Sequence, residues 1–441
     1  MSELIEVLFT SDSNESQASI TALDYKTGTN LMTYKAGGVV QPCSISLLSQ
    51  HYILAANSTK PLLHVWPINS QQQLTSVRFV LPGRANSVAI SPDNLYLVAA
   101  IQENIYLWQL SSGKMLNTIS KHFQPINCIQ FDEDSHFASA GQDGSVMIWN
   151  LTTVCARDDD SQKPVYTFND HGLPVTDVHI GMGGIRAHMM TVSLDRTCKI
   201  YDLLIGALVL NVVFTEALHS VTANSLETSV YVGTCDGNIY EFNTDVGAES
   251  KEVHIQKEYS NLFKGHKEDT AVTCLALSID GQTLISGGQD EQVCIWDIAS
   301  RQLIKRMQHK GPVTNIKLRL TNPDIFKPEN KPPKRFSGNL RRMLDPPEAD
   351  DEDLIEIMVT ERLELPYKDD WWPMPEYPFE YYENTTTPAN NTSTSTSAKF
   401  NATDEDAAKE IERLRAEVEH LKLVNKQLFE VSAKQLLESK K

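Results

Sequence analysis

Along most of this chain the apolar residues fall in short runs, with no helical 3.6-residue stripe. NSVAI is followed by SPDN and then LYLVAA; VTCLAL is followed by SIDG and then TLISGG. Runs of about five β-branched and apolar residues, broken by turn formers, read as short strands joined by tight turns. The pattern repeats. One unit, KGHKEDTAVTCLALSIDGQTLISGGQDEQVCIWDIASRQLIKRM at 264–307, carries His266, Ser286, Asp290 and Trp296-Asp297. A second carries His122, Ser139, Asp143 and Trp149-Asn150, and a third His171, Thr191, Asp195 and Tyr201-Asp202. In each, Ser or Thr precedes Asp by four residues and Asp precedes the aromatic by six. Weaker copies end at Leu23-Asp24, Trp66-Pro67, Trp108-Gln109 and Phe242-Asn243, so the slots at 23, 66, 108, 149, 201, 242 and 296 are spaced 43, 42, 41, 52, 41 and 54.

This spacing, with Gly265-His266 at the head of one unit and Trp296-Asp297 at its end, resembles the WD-repeat family. That family's period is about 40–45 residues, with four strands per blade. The resemblance covers residues 1–320 and implies a seven-bladed, all-β propeller. A lone four-stranded blade cannot bury both faces, whereas seven in a ring can. The N-terminus supplies only IEVLF, ASITALDY and NLMTYK before the second unit begins, leaving blade one without its innermost strand. GPVTNIKLRL at 311–320 reads as the opening of a strand and is expected to close blade one.

A His, Ser and Asp at fixed spacing also invites a catalytic-triad reading. A nucleophile would appear once, not three times round a ring. In the WD-repeat family these residues, His122, Ser139, Asp143 and Trp149; His171, Thr191, Asp195 and Tyr201; His266, Ser286, Asp290 and Trp296, would be structural tetrads, hydrogen-bonded through to the aromatic. Such networks stabilise when every member is satisfied. Four blades lack the full set and are expected to lean on packing. No metal-ligand spacing, phosphate loop, nucleophile elbow or dinucleotide fingerprint occurs, so no catalytic, cofactor-binding or metal-binding residue is expected, and no cofactor. GMGG at 181–184 lacks the flanks of a nucleotide loop and reads as a turn.

Charge and cysteine usage narrow the class further. Lys plus Arg is 39 and Asp plus Glu 57, a formal charge of −18. A protein that coats a phosphate backbone would be basic, so that activity is disfavoured, although a local basic patch remains open. Seven cysteines with no C-x-x-C pair argue against a disulfide framework or zinc ribbon and fit a reducing compartment. The start, MSELIEVLFTSD, lacks the basic segment of a signal peptide. The longest apolar stretch, 205–214, is half of the ~20 residues a membrane span needs.

Composition shifts beyond 320. Residues 321–403 read as a Pro-rich, acidic and low-complexity linker. Its basic part, with Lys327, Lys331, Lys334, Arg335, Arg341 and Arg342, suits either a nuclear-localisation or RNA-touching segment or a solvated spacer. LIEIMVTERLELP at 354–366 is strand-like and is expected to lie back on the propeller. The cluster at 367–382, with Trp371, Trp372, Tyr377, Phe379, Tyr381 and Tyr382, is dense enough in aromatics to fill a groove on a partner or on the protein itself. Residues 404–438 read as an amphipathic helix. Ile411, Leu414, Val418, Leu421, Asn425 and Leu428 keep a heptad rhythm with Asn at one a position, which predicts a coiled coil and a homodimer through this helix; docking on a partner is the other reading.

Within the WD-repeat family, stretches such as TGTNLMTYKAGG (27–38), NLYLVAAIQENIYLWQLSSGKML (94–116), HKGPVTN (309–315) and ERLRAEVEHLKLVNKQLFEVS (412–432) resemble one branch. It comprises the propeller subunits of the complex that processes and remodels large-ribosomal-subunit precursors. This resemblance implies a non-enzymatic scaffold in the nucleus, in nucleolus and nucleoplasm. It implies binding to a helical-repeat scaffold subunit of that complex, to the large-subunit precursor and to its remodelling ATPase, with no membrane partner. Direct RNA contact stays open. The competing classes are a ubiquitin-ligase substrate receptor, a membrane-traffic coat or tether subunit, or another WD-repeat assembly scaffold. The first usually carries W-D-x-R, whereas Trp296-Asp297-Ile298-Ala299 has no Arg at the fourth place.

Overall fold

A computed structural model describes residues 4–14, 18–49, 51–75, 77, 79–156, 162–244, 252–255, 261–327 and 340. The strands form seven sheets, each a propeller blade and antiparallel throughout except for one added edge strand. Blades two, three, four and seven are each made of four consecutive strands, running from the innermost outward, whereas the chain of blade six lends a strand to the edge of blade five before forming its own outermost strand. Blade three shows the plan, with strands Ser87–Ile90, Tyr96–Ile101, Asn104–Gln109 and Met115–Ser120. Burial follows position. The second strands are buried along nearly their whole length, and Tyr52–Ala56 along all of it, because a neighbouring blade covers each face. The outermost strand of blade seven, Gln302–Gln308, alternates exposed and half-buried residues. Seven apolar clusters fill the blades and the spaces between them, with Trp66, Trp108, Trp149 and Trp296 among the largest wholly buried side chains.

Blade one closes the ring with strands from both ends of the described chain. Val313–Thr321 pairs antiparallel with Ile5–Asp12, from Ile5 opposite Thr321 to Asp12 opposite Val313. Ser13 N–H donates to Pro312 O at 2.9 Å, and the Glu6 carboxylate accepts from Ser278 Oγ at 2.6 Å and Ile279 N at 3.0 Å, tying blade one to blade seven.

The ring body extends past residue 320, where the linker was expected to start. After Thr321 the chain turns through Pro323–Phe326, capped by Asn322 Oδ1 accepting from Asp324 N at 2.9 Å. Ile325 and Phe326 pack on the cluster of blades one and two, and Leu340 is buried in that of blades two and three. These apolar side chains pack on the propeller although they flank residues whose Pro and Lys content suggests a solvated spacer. The strand-like 354–366, the aromatic cluster 367–382 and the helix 404–438 lie outside the described residues.

The two long spacings each have a local cause. Within blade four, between its third strand Val146–Asn150 and its outermost strand Tyr166–Phe168, Asn150 caps the short helix Leu151–Cys155, its Oδ1 accepting from Thr152 N at 2.9 Å. Asn117 of blade three donates to Val154 O at 2.7 Å and holds that helix. Within blade six, between its third strand Asn238–Asn243 and its outermost strand Leu262–Lys264, the inserted Glu252–His254 adds to blade five as a fifth strand, parallel to Ala207–Val213. Gly144 (φ 75°) and Gly237 (φ 81°) sit where the next blade's incoming loop passes. A Cβ there would stand 2.6 Å from His171 O and Lys267 O respectively.

Candidate functional site

The repeated polar residues meet in three buried chains of hydrogen bonds. In blade four, His122 Nδ1 lies 3.2 Å from Asp143 Oδ2, His122 Nε2 lies 2.8 Å from Ser139 Oγ, and Trp149 Nε1 donates to Ser139 Oγ at 2.9 Å. In blade seven, His266 Nδ1 is 3.0 Å from Asp290, His266 Nε2 is 2.7 Å from Ser286 Oγ, and Trp296 Nε1 donates to Ser286 Oγ at 2.8 Å. A carboxylate only accepts, so each His Nδ1–H donates to Asp. Nε2 then accepts the Ser hydroxyl, whose oxygen accepts the indole N–H. The hydroxyl is thus committed on both sides and, in Ser139, Thr191 and Ser286 alike, has 0% exposure. No substrate can reach it, so the likeness to a catalytic triad ends at the residue types.

Blade five departs from the expected chain. His171 bridges Asp195 Oδ2 at 3.0 Å and Thr191 Oγ1 at 2.8 Å, but the Tyr201 hydroxyl donates to Asp170 Oδ2 at 3.1 Å. A phenol carries its donor at the far tip of the ring, beyond where an indole presents its N–H, and so reaches Asp170 in the loop that carries His171. The three aspartates also cap the loops after the histidines, accepting from Phe123 N at 3.0 Å, Gly172 N at 3.1 Å and Lys267 N at 3.1 Å. Ser145 and Thr197, two residues after Asp143 and Asp195, each add a hydroxyl bond of 2.6 Å. The repeated D-x-[ST] spacing was the available signal for these extra members.

Burial alone would raise the three carboxyls. In Asp143 the bonds from Ser145, Phe123 N–H and His122 take it below the ordinary carboxylate range instead. Bonds from His171 and Thr197 hold Asp195 well below it, and His266 with the Lys267 and Gln292 N–H groups lowers Asp290 as well. Burial outweighs Asp143 at His122 and lowers the imidazole.

A second network runs round the ring and is less evident from the repeats. Side chains on or beside the innermost strands each donate to a backbone carbonyl of the next blade. Asn315 reaches Gln41 O at 2.9 Å, Ser46 reaches Val88 O at 2.9 Å, Asn86 reaches Ile126 O at 3.1 Å and Asn127 reaches Val175 O at 2.6 Å. Thr176 reaches Leu218 O at 2.9 Å, Ser220 reaches Val272 O at 2.8 Å and Thr273 reaches Val313 O at 2.6 Å. One such bond crosses every inter-blade boundary. The sequence signal was a polar residue near each strand opening, as in PINC, PVTD, AVTC and PVTN. Asp177 belongs to the same level, accepting from Val178 N at 2.9 Å and Val221 N at 3.0 Å; burial pushes its carboxyl up to about 6.

Among the described residues no group of three or more His, Cys, Asp or Glu is placed to hold a metal ion, and no helix is long and apolar enough to cross a membrane. All seven cysteines are free. Ile411, Leu414, Val418, Leu421, Asn425 and Leu428 lie outside the described residues, as do Trp371, Trp372, Tyr377, Phe379, Tyr381 and Tyr382.

Comparison with known proteins agrees with the ring. The family described as WD domain, G-beta repeat matches residues 113–150, 162–202 and 257–297, the three units with full tetrads. WD repeat-containing protein 18 of Danio rerio is 37% identical over 347 residues, 77% of this chain and 80% of the relative. Its Homo sapiens namesake is 35% identical over 336 residues, 75% of this chain and 77% of the relative. Pre-rRNA-processing protein pro-1 of Caenorhabditis briggsae is 28% identical over 351 residues, 77% of this chain and 65% of the relative. With a propeller closed by its own two ends and relatives at this identity across most of both chains, this chain belongs to the WD repeat-containing protein 18 family.

Proposed function

We propose that this chain is a non-enzymatic scaffold in ribosome biogenesis, acting in pre-rRNA processing during maturation of the large-subunit precursor. The observation that carries the reading is kinship, over about three quarters of the chain, with proteins whose names include a pre-rRNA-processing protein. The geometry supports a scaffold, because the repeated polar groups are spent inside the blades and the loops between strands are left to meet other molecules. On this reading the chain works in the nucleus, in nucleolus and nucleoplasm. It joins a helical-repeat scaffold subunit and brings the remodelling ATPase to the precursor, while the helix 404–438 pairs two copies.

Depletion tests the central claim. Precursor rRNA still carrying the internal spacer should accumulate while small-subunit precursors are spared; normal precursor profiles would sink the proposal. Affinity purification with mass spectrometry tests the partners separately. Light scattering of the full chain against Leu414→Asp/Leu421→Asp tests the pairing, and a wild type that is monomeric at every concentration rules the dimer out.

A further inference from the structure

The GMGG run forms the loop between the first two strands of blade five, and the ring itself makes no use of what it displays. Gly183 (φ 132°) and Gly184 (φ 61°) take backbone conformations that side-chain-bearing residues rarely adopt. They fold the chain through the short turn Gly184–Arg186. The turn buries Gly184 and Ala187 and turns Met182 and Ile185 outward, 60% and 39% exposed. On the same face, Leu226 of blade six is 80% exposed, and Leu204 and Ile205 of blade five are 55% and 69% exposed. Five large apolar tips on three adjoining loops are more than the scattered single residues that need no explanation.

These loops are interlocked. Glu227 accepts from His188 N at 3.0 Å and from His188 Nδ1 at 2.7 Å, and its carboxylate also lies against Gly181. Gly181 N donates to His188 O at 3.0 Å, and Leu203 N donates to Ala187 O at 3.3 Å. The apolar tips therefore stand on a braced base and cannot fold back to hide. We infer that this face of blades five and six docks an amphipathic helix of a partner protein, apolar along one side and flanked by Lys or Arg.

Two features choose this occupant. The first is charge. Glu133 and Asp134 of blade four are exposed beside the loop, with the Asp134 carboxylate against Gly184, and Asp202 stands at another margin, while Glu227 is taken up by His188. Arg186 and His188 are the basic side chains of the loop itself, so the rim favours a cationic visitor. The second is the backbone. The N–H groups of Gly181, Arg186, Ala187, Leu203 and Glu227 are all consumed inside these loops. No open ladder is offered to an extended peptide, so the visitor must satisfy its own backbone, as a helix does. An RNA strand would need several cations here, and the rim is acidic.

The test uses the full chain and a fluorescein-labelled synthetic helix of 18 residues, with Leu at three- and four-residue spacing and Lys and Arg on its flanks. Anisotropy should show saturable binding, weakened about tenfold or more by Met182→Asp/Leu226→Asp. Phe123→Asp should leave it unchanged, since Phe123 is 91% exposed on the opposite face. Melting curves of both variants should match wild type. A peptide with Leu scrambled round the helix, or with Glu on the flanks, should bind at least tenfold more weakly. Equal binding by the double variant, or by either control peptide, would overturn the inference. So would binding of a labelled single-stranded RNA that the double variant abolishes. If wild type does not bind, hydroxyl-radical footprinting of Met182 assigns the failure. A shielded Met182 means that the chain's own tail or a second copy occupies the face; an open one means that the face is not a docking site. Either result rejects the partner helix, and neither depends on the ribosomal reading.

Discussion

Asp290→Ala should destabilise the whole ring, whereas Asp297→Ala, which removes the acid of the Trp-Asp pair itself, should not. Asp290 accepts from His266 Nδ1 at 3.0 Å, Lys267 N at 3.1 Å and Gln292 N at 3.3 Å. The His266 and Asp290 side chains are 0% and 2% exposed, so water cannot replace the lost acceptor at the imidazole. Stranding a buried donor costs about 1–3 kcal/mol, and the two N–H groups, nearer to solvent, add less; together about 2–4 kcal/mol. At ~2.1 cal/mol/K per residue over a ring of roughly 300 residues, that lowers the melting temperature by about 3–6 °C. Asp297 bonds only Ser300 of its own turn, through N at 2.8 Å and the hydroxyl, at the surface. Differential scanning calorimetry of both variants against wild type decides the matter. An unchanged Asp290→Ala, or an equal loss in Asp297→Ala, would refute the assignment of the tetrad as an internal brace.

Other perturbations should act as follows. Thr273→Val keeps the shape but removes the bond to Val313 O across the boundary of blades seven and one, which should cost about 0.5–1.5 kcal/mol plus the penalty for any carbonyl left dry, read as a lower urea midpoint. Deleting 311–441 removes the strand paired with Ile5–Asp12 and should lower the melting temperature sharply, whereas deleting 384–441 should not; equal melting of both truncations would contradict ring closure by this strand. Acid should weaken the fold in two stages, followed by circular dichroism. His64, His122, His179 and His219 are lowered by burial, so the unfolded chain takes up protons first and stability starts to fall below about pH 6.5, partly offset by Asp177, whose raised carboxyl favours the folded state as pH drops through about 6. Asp143, Asp195 and Asp290 have depressed carboxyls, so their contribution is present above about pH 4 and is lost as pH falls through their folded values.

The repeat spacing made the propeller legible because blades share one internal register. A residue six positions before the aromatic must fall in the hairpin turn of every copy, and Asp143, Asp195 and Asp290 all do. The closing strand was legible from phase, since three strands before the second unit leave one to be found elsewhere. Tertiary demands were harder to read. Tyr201 occupies an indole's slot, but the reach of its hydroxyl sends the bond to Asp170. Asn150 follows Trp149 where Asp follows the aromatic in the other two full copies, and it serves as a helix cap, which the repeat alone does not reveal. The parallel strand Glu252–His254 has no periodic signature, because three residues borrowed by another blade's edge carry no pattern of their own. Leu340 gives no local hint that it is buried, set among Pro, Lys and Arg.

The blades without tetrads show why the ring acts as one body. Blade two has no His, Ser and Asp set, yet its Trp66 Nε1 donates to Lys35 O of blade one at 2.9 Å. Its Asn57 donates to Gly37 O at 2.6 Å while gathering Thr59 N and Lys60 N at 2.8 and 2.9 Å. In blade six, Glu241 accepts from the Tyr231 hydroxyl at 3.4 Å and from Arg301 of blade seven at 3.1 Å. Polar groups that elsewhere brace a blade internally are here shared with the neighbour. Blades four, five and seven are locked within themselves, blades two and six are fastened to others, and the inner-strand bonds run through all seven. A blade of the second kind cannot come loose without opening a boundary, and a blade of the first kind cannot lose its brace without disturbing the loop that leads into it. A body fastened in both ways holds its connecting loops in fixed relation. That is the physical requirement for a scaffold whose contacts are made by loops from several blades at once.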